Sequence, residues 1–229
     1  MFWHEDESEQ ETRQADEVVD LVFDIDCREL PVDHAQGLSR ALLQAVPWIG
    51  DDERIGIHSI FMAGSQNGWE RPDPDSGQRL LLSRRTKLTL RAPKERVEQL
   101  QQELRGIQLE IDGCPMTLGK SKTRPLTPDA TLIARQVVSH SDDEERFLEW
   151  AAGELQAMGI RIKKALCGKS LALNTADGPI HTRSLMLADL RREDSLRLQQ
   201  RGLGPHRKLG CGLFIPHKGI RAVGMDDRD

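Results

Sequence analysis

The order of elements in this chain repeats, and that repeat limits the fold more than any other feature. Val19, Leu21, Phe23 and Ile25 alternate with polar or mixed neighbours and read as a strand. Pro31 follows, and Asp33 can cap a helix with apolar positions Leu38, Ala41, Leu42, Ala45 and Val46, closed by Pro47 and Gly50. Arg54–Met62 reads as a strand, 64–77 as a long polar loop and Leu80–Arg91 as another strand. Pro93 opens a helix to Leu104, and Ile107–Ile111 is a short strand. The same order then returns. Thr131–Val138 is a strand, Asp142–Met158 a helix and Ile160–Leu166 a strand. Ile180–Leu190 pairs with that strand across the turn Thr175-Ala176-Asp177-Gly178, Glu193–Gln200 is a short helix, and Cys211–Ile215 is the last strand.

Strand, helix, strand, strand, helix, strand is the split βαβ order. The chain has 229 residues, room for two such units of about 100 residues, each with a small core of one sheet and two helices. The expected class is α+β, with two tandem ferredoxin-like (RRM-like, βαββαβ) domains and a C-terminal glycine-rich loop. The boundaries expected are a flexible acidic leader 1–17, a first domain 18–119, a linker 120–128 rich in Pro, Gly, Ser, Thr and Lys, a second domain 129–222, and a flexible tail 223–229. Fold of this kind hosts many activities and decides none of them.

Charge narrows the partners. The whole chain carries 32 basic and 37 acidic side chains, net -5, which alone argues weakly against nucleic acid. Eight of the acids, against one base, lie in residues 1–20, so the remainder is net +2; residues 161–222 hold thirteen Arg or Lys against four acids. A basic cluster of this kind steers polyanions even on an acidic protein. No apolar run approaches the ~18 residues of a membrane span, and the N-terminus has no secretory pattern. Cys27, Cys114, Cys167 and Cys211 have neither C-x-x-C nor zinc-finger spacing. Asp24 and Asp26 share a strand face without a histidine pattern beside them. The expectation is a reduced, cytoplasmic protein with no metal site, no cofactor and no membrane.

Gly202-Leu203-Gly204-Pro205-His206-Arg207-Lys208-Leu209-Gly210-Cys211-Gly212-Leu213-Phe214 is the sharpest local feature. Glycines at 202, 204, 210 and 212 let backbone approach a ligand, and His206, Arg207 and Lys208 between them can reach phosphate oxygens. The loop lacks the Gly-Lys-Ser/Thr ending of a Walker A motif and the dinucleotide-binding spacing. A tight turn between a short helix and an edge strand is the plainer reading.

This segment, preceded by Ser195-Leu196-Arg197-Leu198-Gln199-Gln200, resembles the C-terminal signature of the endoribonucleases that process CRISPR precursor RNA (Cas6 type), within the RAMP superfamily. Ser83-Arg84-Arg85-Thr86-Lys87-Leu88-Thr89-Leu90 and Gly56-Ile57-His58-Ser59-Ile60 resemble its myxan-type branch. The resemblance covers roughly residues 18–222. It implies two ferredoxin-like domains, metal-independent cleavage of CRISPR repeat RNA by the RNA's own 2′-hydroxyl and a 2′,3′-cyclic phosphate product. It also implies retention of the mature guide RNA, in many members within an effector complex of other CRISPR subunits.

Such a cut needs a base near the 2′-hydroxyl, an acid near the 5′ leaving oxygen and positive charge at the phosphate. Histidine is the natural proton carrier near neutral pH. The resemblance places a catalytic histidine in or beside the first helix, where Asp33-His34-Ala35-Gln36-Gly37-Leu38 matches, so His34 is the first candidate. A helix N-terminus keeps an imidazole neutral and able to accept a proton. Positions 34, 38, 41, 42 and 45 also share a helical face, so His34 at the edge of a core is the competing reading. His58 is the second candidate, on the strand face opposite Ile57. The chain has no tyrosine, which excludes Tyr-containing dyads. RNA contacts are expected from Arg84, Arg85 and Lys87, from Lys163 and Lys164, from Arg191, Arg192 and Arg197, and from the loop itself (Gly202, Gly204, His206, Arg207, Lys208, Gly210, Gly212). A guide-RNA-binding scaffold that does not cut, and a metabolic enzyme whose loop holds a small phosphorylated ligand, remain open at this point.

Overall fold

Alternating apolar residues place strand β1, Val18–Asp26, at the centre of the first half. The structure is a computed structural model and describes residues 17–61 and 79–217. The leader to residue 16, the 64–77 loop and the tail lie outside them. β1 pairs antiparallel with β5 (Lys87–Pro93) on one side and β7 (Cys114–Pro125) on the other. β3 (Gly56–Ile57) joins β5, and β6 (Gln108–Ile111) joins β7, so the sheet runs β3-β5-β1-β7-β6. Two further short strands, β2 (Glu29–Pro31) and β4 (Arg79–Leu81), pair with each other. Helices α1 (Ala35–Ala45) and α2 (Val97–Leu104) belong to this half. Leu21 and Phe23 of β1 join Leu38 and Leu42 of α1 and Leu100 and Leu104 of α2 in one buried core. Each such side chain contributes about 1.5–3 kcal/mol by leaving water.

The second sheet is again antiparallel. Its order is β10-β11-β8-β12, with β8 at Leu132–Val138, β10 at Leu171–Thr175, β11 at Gly178–Ala188 and β12 at Phe214–Pro216. β9 (Lys164–Cys167) pairs with β11 beyond the β10 hairpin. Helix α3 (Glu144–Ala157) starts at Asp143, whose carboxylate accepts the Glu145 and Arg146 amides, and buries Phe147, Ala151 and Leu155. Helix α4 (Arg192–Arg201) buries Leu198 and ends at Gly202. The protein is thus α+β with antiparallel sheets. Among the described residues no helix is long and apolar enough to cross a membrane.

Several sequence expectations change. Most of the stretch expected as a linker, 120–128, is the end of β7: Val19 pairs with Pro125 and Leu21 with Thr123. Leu80–Arg91 is not one strand, because Ser83 to Thr86 forms a turn closed by Thr86 N–H on Ser83 O at 2.9 Å. The hairpin partner of β11 across Thr175 and Gly178 is β10, not Ile160–Leu166. Asp33 does not cap α1. The N-cap is His34, without a side-chain cap bond, and Asp33 Oδ2 instead accepts the Asn174 amide at 2.8 Å.

Candidate active site and nucleic-acid interface

Alternation along β3 decides the site. Ile57 points into the first core, so Gly56 and His58 face the other way, toward the second half. There a Cβ on Gly56 would lie 2.6 Å from Leu213 Cδ2. His58 prolongs the pairing, its amide donating to Thr89 O at 3.0 Å. Asp20 on β1 faces the same way, as do its register partners Arg91 on β5 and Arg124 on β7. One row of the sheet therefore reads Arg91, Asp20, Arg124.

Asp20 and Arg91 are buried charges, and each is paired as such groups must be. Arg91 Nε donates to Asp20 Oδ1 at 2.9 Å, and its Nη1 donates to Gln199 O at 3.0 Å and Phe214 O at 2.6 Å. Arg124 Nη2 reaches Asp20 Oδ2 at 3.0 Å. Burial alone would raise the Asp20 carboxyl, but the buried Arg91 guanidinium bonded to it holds it far below the ordinary carboxylate range. His58 Nε2 lies 3.7 Å from Asp20 Oδ1, too long for a formed hydrogen bond, and has no other partner among the described residues. Burial lowers the His58 pKa, against the pull of Asp20, so the resting ring is neutral.

His58 lines a cleft of about 520 Å³. Arg85, Lys87, Arg124 and Arg135 line it too, with Ser59, Thr86 and Gly210. Arg85 sits in the Ser83–Thr86 turn, outside the strand ladder, with Ser83 Oγ accepting its amide at 3.3 Å. Lys87 Nζ pairs with its cross-strand neighbour Asp24 at 2.7 Å. Arg135 stacks over the Phe61 ring, 4.6 Å from its centre.

His34 is not in this cleft. Its ring is fully buried, Nδ1 lies 3.0 Å from Pro31 O, and Nε2 accepts the Ile60 amide at 3.0 Å. A neutral ring that donates through one nitrogen and accepts through the other has no lone pair to offer a substrate. The core-edge reading fits His34 as the structure places it.

The glycine-rich loop also differs from expectation. Gly202, Gly204, Gly210 and Gly212 all have positive φ, and so does His206. Their freedom is used inside the protein: a Cβ on Gly212 would lie 2.1 Å from Leu203 O, and one on Gly210 2.6 Å from Ser59 Oγ. Arg207 and Lys208 do not project from the loop. Arg207 donates to Arg201 O, to Gln200 O at 3.2 Å and to Arg54 O at 3.1 Å. Lys208 Nζ donates to Asp52 O at 2.6 Å and Ile55 O at 2.7 Å. Burial lowers both, Arg207 to about 10 and Lys208 to about 8.

The remaining basic residues lie outside the cleft. Arg84, Lys163 and Arg192 are exposed. Lys164 pairs with Asp189 at 3.0 Å and Arg191 with Asp194 at 2.9 Å. Arg197 lines a second groove with Arg54, Arg201, Gly204 and His206, and Arg207 and Lys208 border the same groove. Among the described residues no three His, Cys, Asp or Glu side chains converge as a metal site. Sequence reasoning missed Asp20, Arg124 and Arg135. Arg135 carried a signal, a cation inside the apolar run Leu132-Ile133-Ala134-Arg135-Gln136-Val137. Arg124 was hidden in the supposed linker.

Comparison with known proteins adds sequence and fold relatives. Residues 19–219 match the family model Cas6 Crispr. The CRISPR-associated endonuclease Cas6 of Myxococcus xanthus (strain DK1622) is 32% identical over 199 residues, 86% of this chain and 81% of that protein. A solved CRISPR-associated protein Cas6 superposes with TM-score 0.59 at 9% identity, covering 88% of this chain and all of that one (100%). A RAMP protein described as binding different RNA substrates gives TM-score 0.59 at 12% identity, over 86% of this chain and 98% of that one. A Cas6-related protein from Pyrococcus furiosus gives 0.56 at 12% identity, over 86% and 97%. At these identities the solved structures speak to fold.

Proposed function

The chain belongs to the Cas6 family of CRISPR-associated proteins, and on that premise we propose that it is an endoribonuclease that cuts CRISPR precursor RNA within the repeat to give guide RNA. The observation that carries this reading is the cleft itself, which His58 lines together with Arg85, Lys87, Arg124 and Arg135, its Nε2 turned inward toward Asp20. The strand orders β3-β5-β1-β7 and β10-β11-β8-β12, each central strand lying between the third and last of its unit, support the tandem ferredoxin-like arrangement.

His58 is the proton carrier in this reading. Kept neutral by burial, it accepts the 2′-hydroxyl proton as the 2′-oxygen attacks the adjacent phosphorus. The bond from phosphorus to the 5′-oxygen breaks, that oxygen takes up a proton, and a 2′,3′-cyclic phosphate remains upstream. Asp20 lies behind the ring and favours the imidazolium that forms, as a carboxylate does behind a catalytic histidine elsewhere. The four cations face the charge that grows on the phosphate oxygens. His34 holds the backbone of Ile60 and is assigned no chemistry. Lys163, Lys164, Arg191, Arg192 and Arg84 supply exposed charge for flanking RNA, and Arg197 with His206 lines a second contact groove. That outer charge also suits retention of the product.

The test is incubation of the pure protein with its repeat RNA in excess chelator. Cleavage, with a cyclic phosphate on the upstream fragment, is expected. A substrate with 2′-deoxyribose at the cut nucleotide should bind and stay whole. Tight binding of the all-ribose RNA without any cleavage would replace the enzyme by a guide-RNA scaffold.

A further inference from the structure

Resting on the assignment of His58 above, we infer that Lys208 is a positioning residue: its ammonium fixes the strand that carries His58 rather than an RNA phosphate, and the 207–210 part of the glycine-rich loop acts as a clamp on that strand. The geometry is specific. Segment 52–55 leads directly into β3 and His58, and Lys208 Nζ donates to the carbonyls of Asp52 and Ile55 at its two ends, at 2.6 and 2.7 Å. Arg207 adds Arg54 O between them, at 3.1 Å. On the other side of His58 the loop presses from Gly210, where a Cβ would meet Ser59 N at 3.1 Å and Ile57 O at 3.2 Å.

The strand needs such support. β3 has only two residues and, among the described residues, is the outer strand of its sheet with β5 as its single neighbour. A short edge strand has few ladder bonds to hold its register. Charge-assisted bonds to backbone carbonyls are about twice as strong as neutral ones. Both donors come from the second half of the chain, about 150 residues away in sequence. The clamp therefore couples the seating of the two halves to the placement of the proton carrier. Catalytic geometry is steeply sensitive to such placement, a misplacement of about 1 Å costing on the order of 10²-fold.

The experiment uses Lys208→Met in the full chain, at a temperature where thermal unfolding shows the variant fully folded. Single-turnover cleavage of repeat RNA, affinity and salt slope for the uncleavable 2′-deoxy RNA, and hydrogen exchange of the peptide covering residues 52–60 are measured together. The clamp predicts a rate lower by roughly 10- to 100-fold, affinity within about twofold, an unchanged salt slope, and faster exchange in that peptide. His58→Ala/Lys208→Met should then cut no more slowly than His58→Ala alone. Weaker binding with a shallower salt slope would make Lys208 a phosphate contact and overturn the proposal. A lower melting temperature with full cutting rate and unchanged local exchange would overturn it too, leaving a purely structural role. Faster exchange with a lower rate, beside a His58→Ala protein that cuts normally, would keep the clamp and overturn only the assignment of His58.

Discussion

Two histidines with similar standing in the sequence have opposite surroundings in the fold. His34 donates and accepts within the backbone around it and is closed to solvent. His58 has a buried carboxylate 3.7 Å from its Nε2, no hydrogen bond at that nitrogen among the described residues, and a cation-lined cleft beside the ring. Sequence could say that each lay beside apolar neighbours. It could not say which backbone amide would come back, from 26 residues away, to occupy the His34 lone pair. The burial of His58 has a measurable consequence. Burial, opposed by Asp20, sets its pKa below the ordinary 6.5, so the basic form persists into mild acid. The profile of kcat/KM against pH, which reports the free enzyme, should rise with an apparent pKa below 6.5 and then level off. A rise centred above that value would contradict the assignment. The stability sign agrees: the unfolded chain takes up this proton first, so this contribution is present above about 6.5 and is lost as pH falls toward the folded value.

Elements with a buried face were legible and elements without one were not. β1, α1 and α3 showed their periods because one side of each packs into a core. The far half of β7 did not, since its last four residues are exposed and what holds them is the ladder to β1 and the Arg124–Asp20 bond. β10 was missed because Leu171 and Ala172 are exposed, with Leu173 its one buried residue. The glycine-rich loop was legible in its composition, but its contacts within the protein were not. Its glycines answer to Leu203 and Ser59 within the protein, and its cations to carbonyls. This gives a graded prediction. Gly113 and Gly212 share a positive φ, but a Cβ on Gly113 meets nothing within 4 Å, whereas one on Gly212 lies 2.1 Å from Leu203 O. Gly113→Ala should cost only the backbone preference, about 1–2 kcal/mol, and Gly212→Ala clearly more, read by urea denaturation. Equal losses would mean that the loop relaxes and is no rigid clamp.

Across the whole molecule, the two halves meet through polar contacts whose partners lie far apart in sequence. Arg91 bonds Asp20 beside it and Gln199 and Phe214 in the second half, Ser59 Oγ lies 3.4 Å from Gln136, and Asp33 accepts from Asn174. Removing one partner of a buried ion pair such as Asp20 and Arg91 costs about 3–5 kcal/mol, because the other charge stays buried. The duplicated element order could be read from the chain; the face on which the halves meet could not, and the candidate site lies on that face. The most direct test is single-turnover cleavage of repeat RNA by folded His58→Ala and His34→Ala proteins beside the wild type. The account predicts a loss of ~10²–10⁴-fold for His58→Ala with RNA affinity retained. It predicts a lower melting temperature for His34→Ala, with near-normal cutting by its folded fraction. Normal cutting by His58→Ala, with the loss falling on His34→Ala instead, would contradict it.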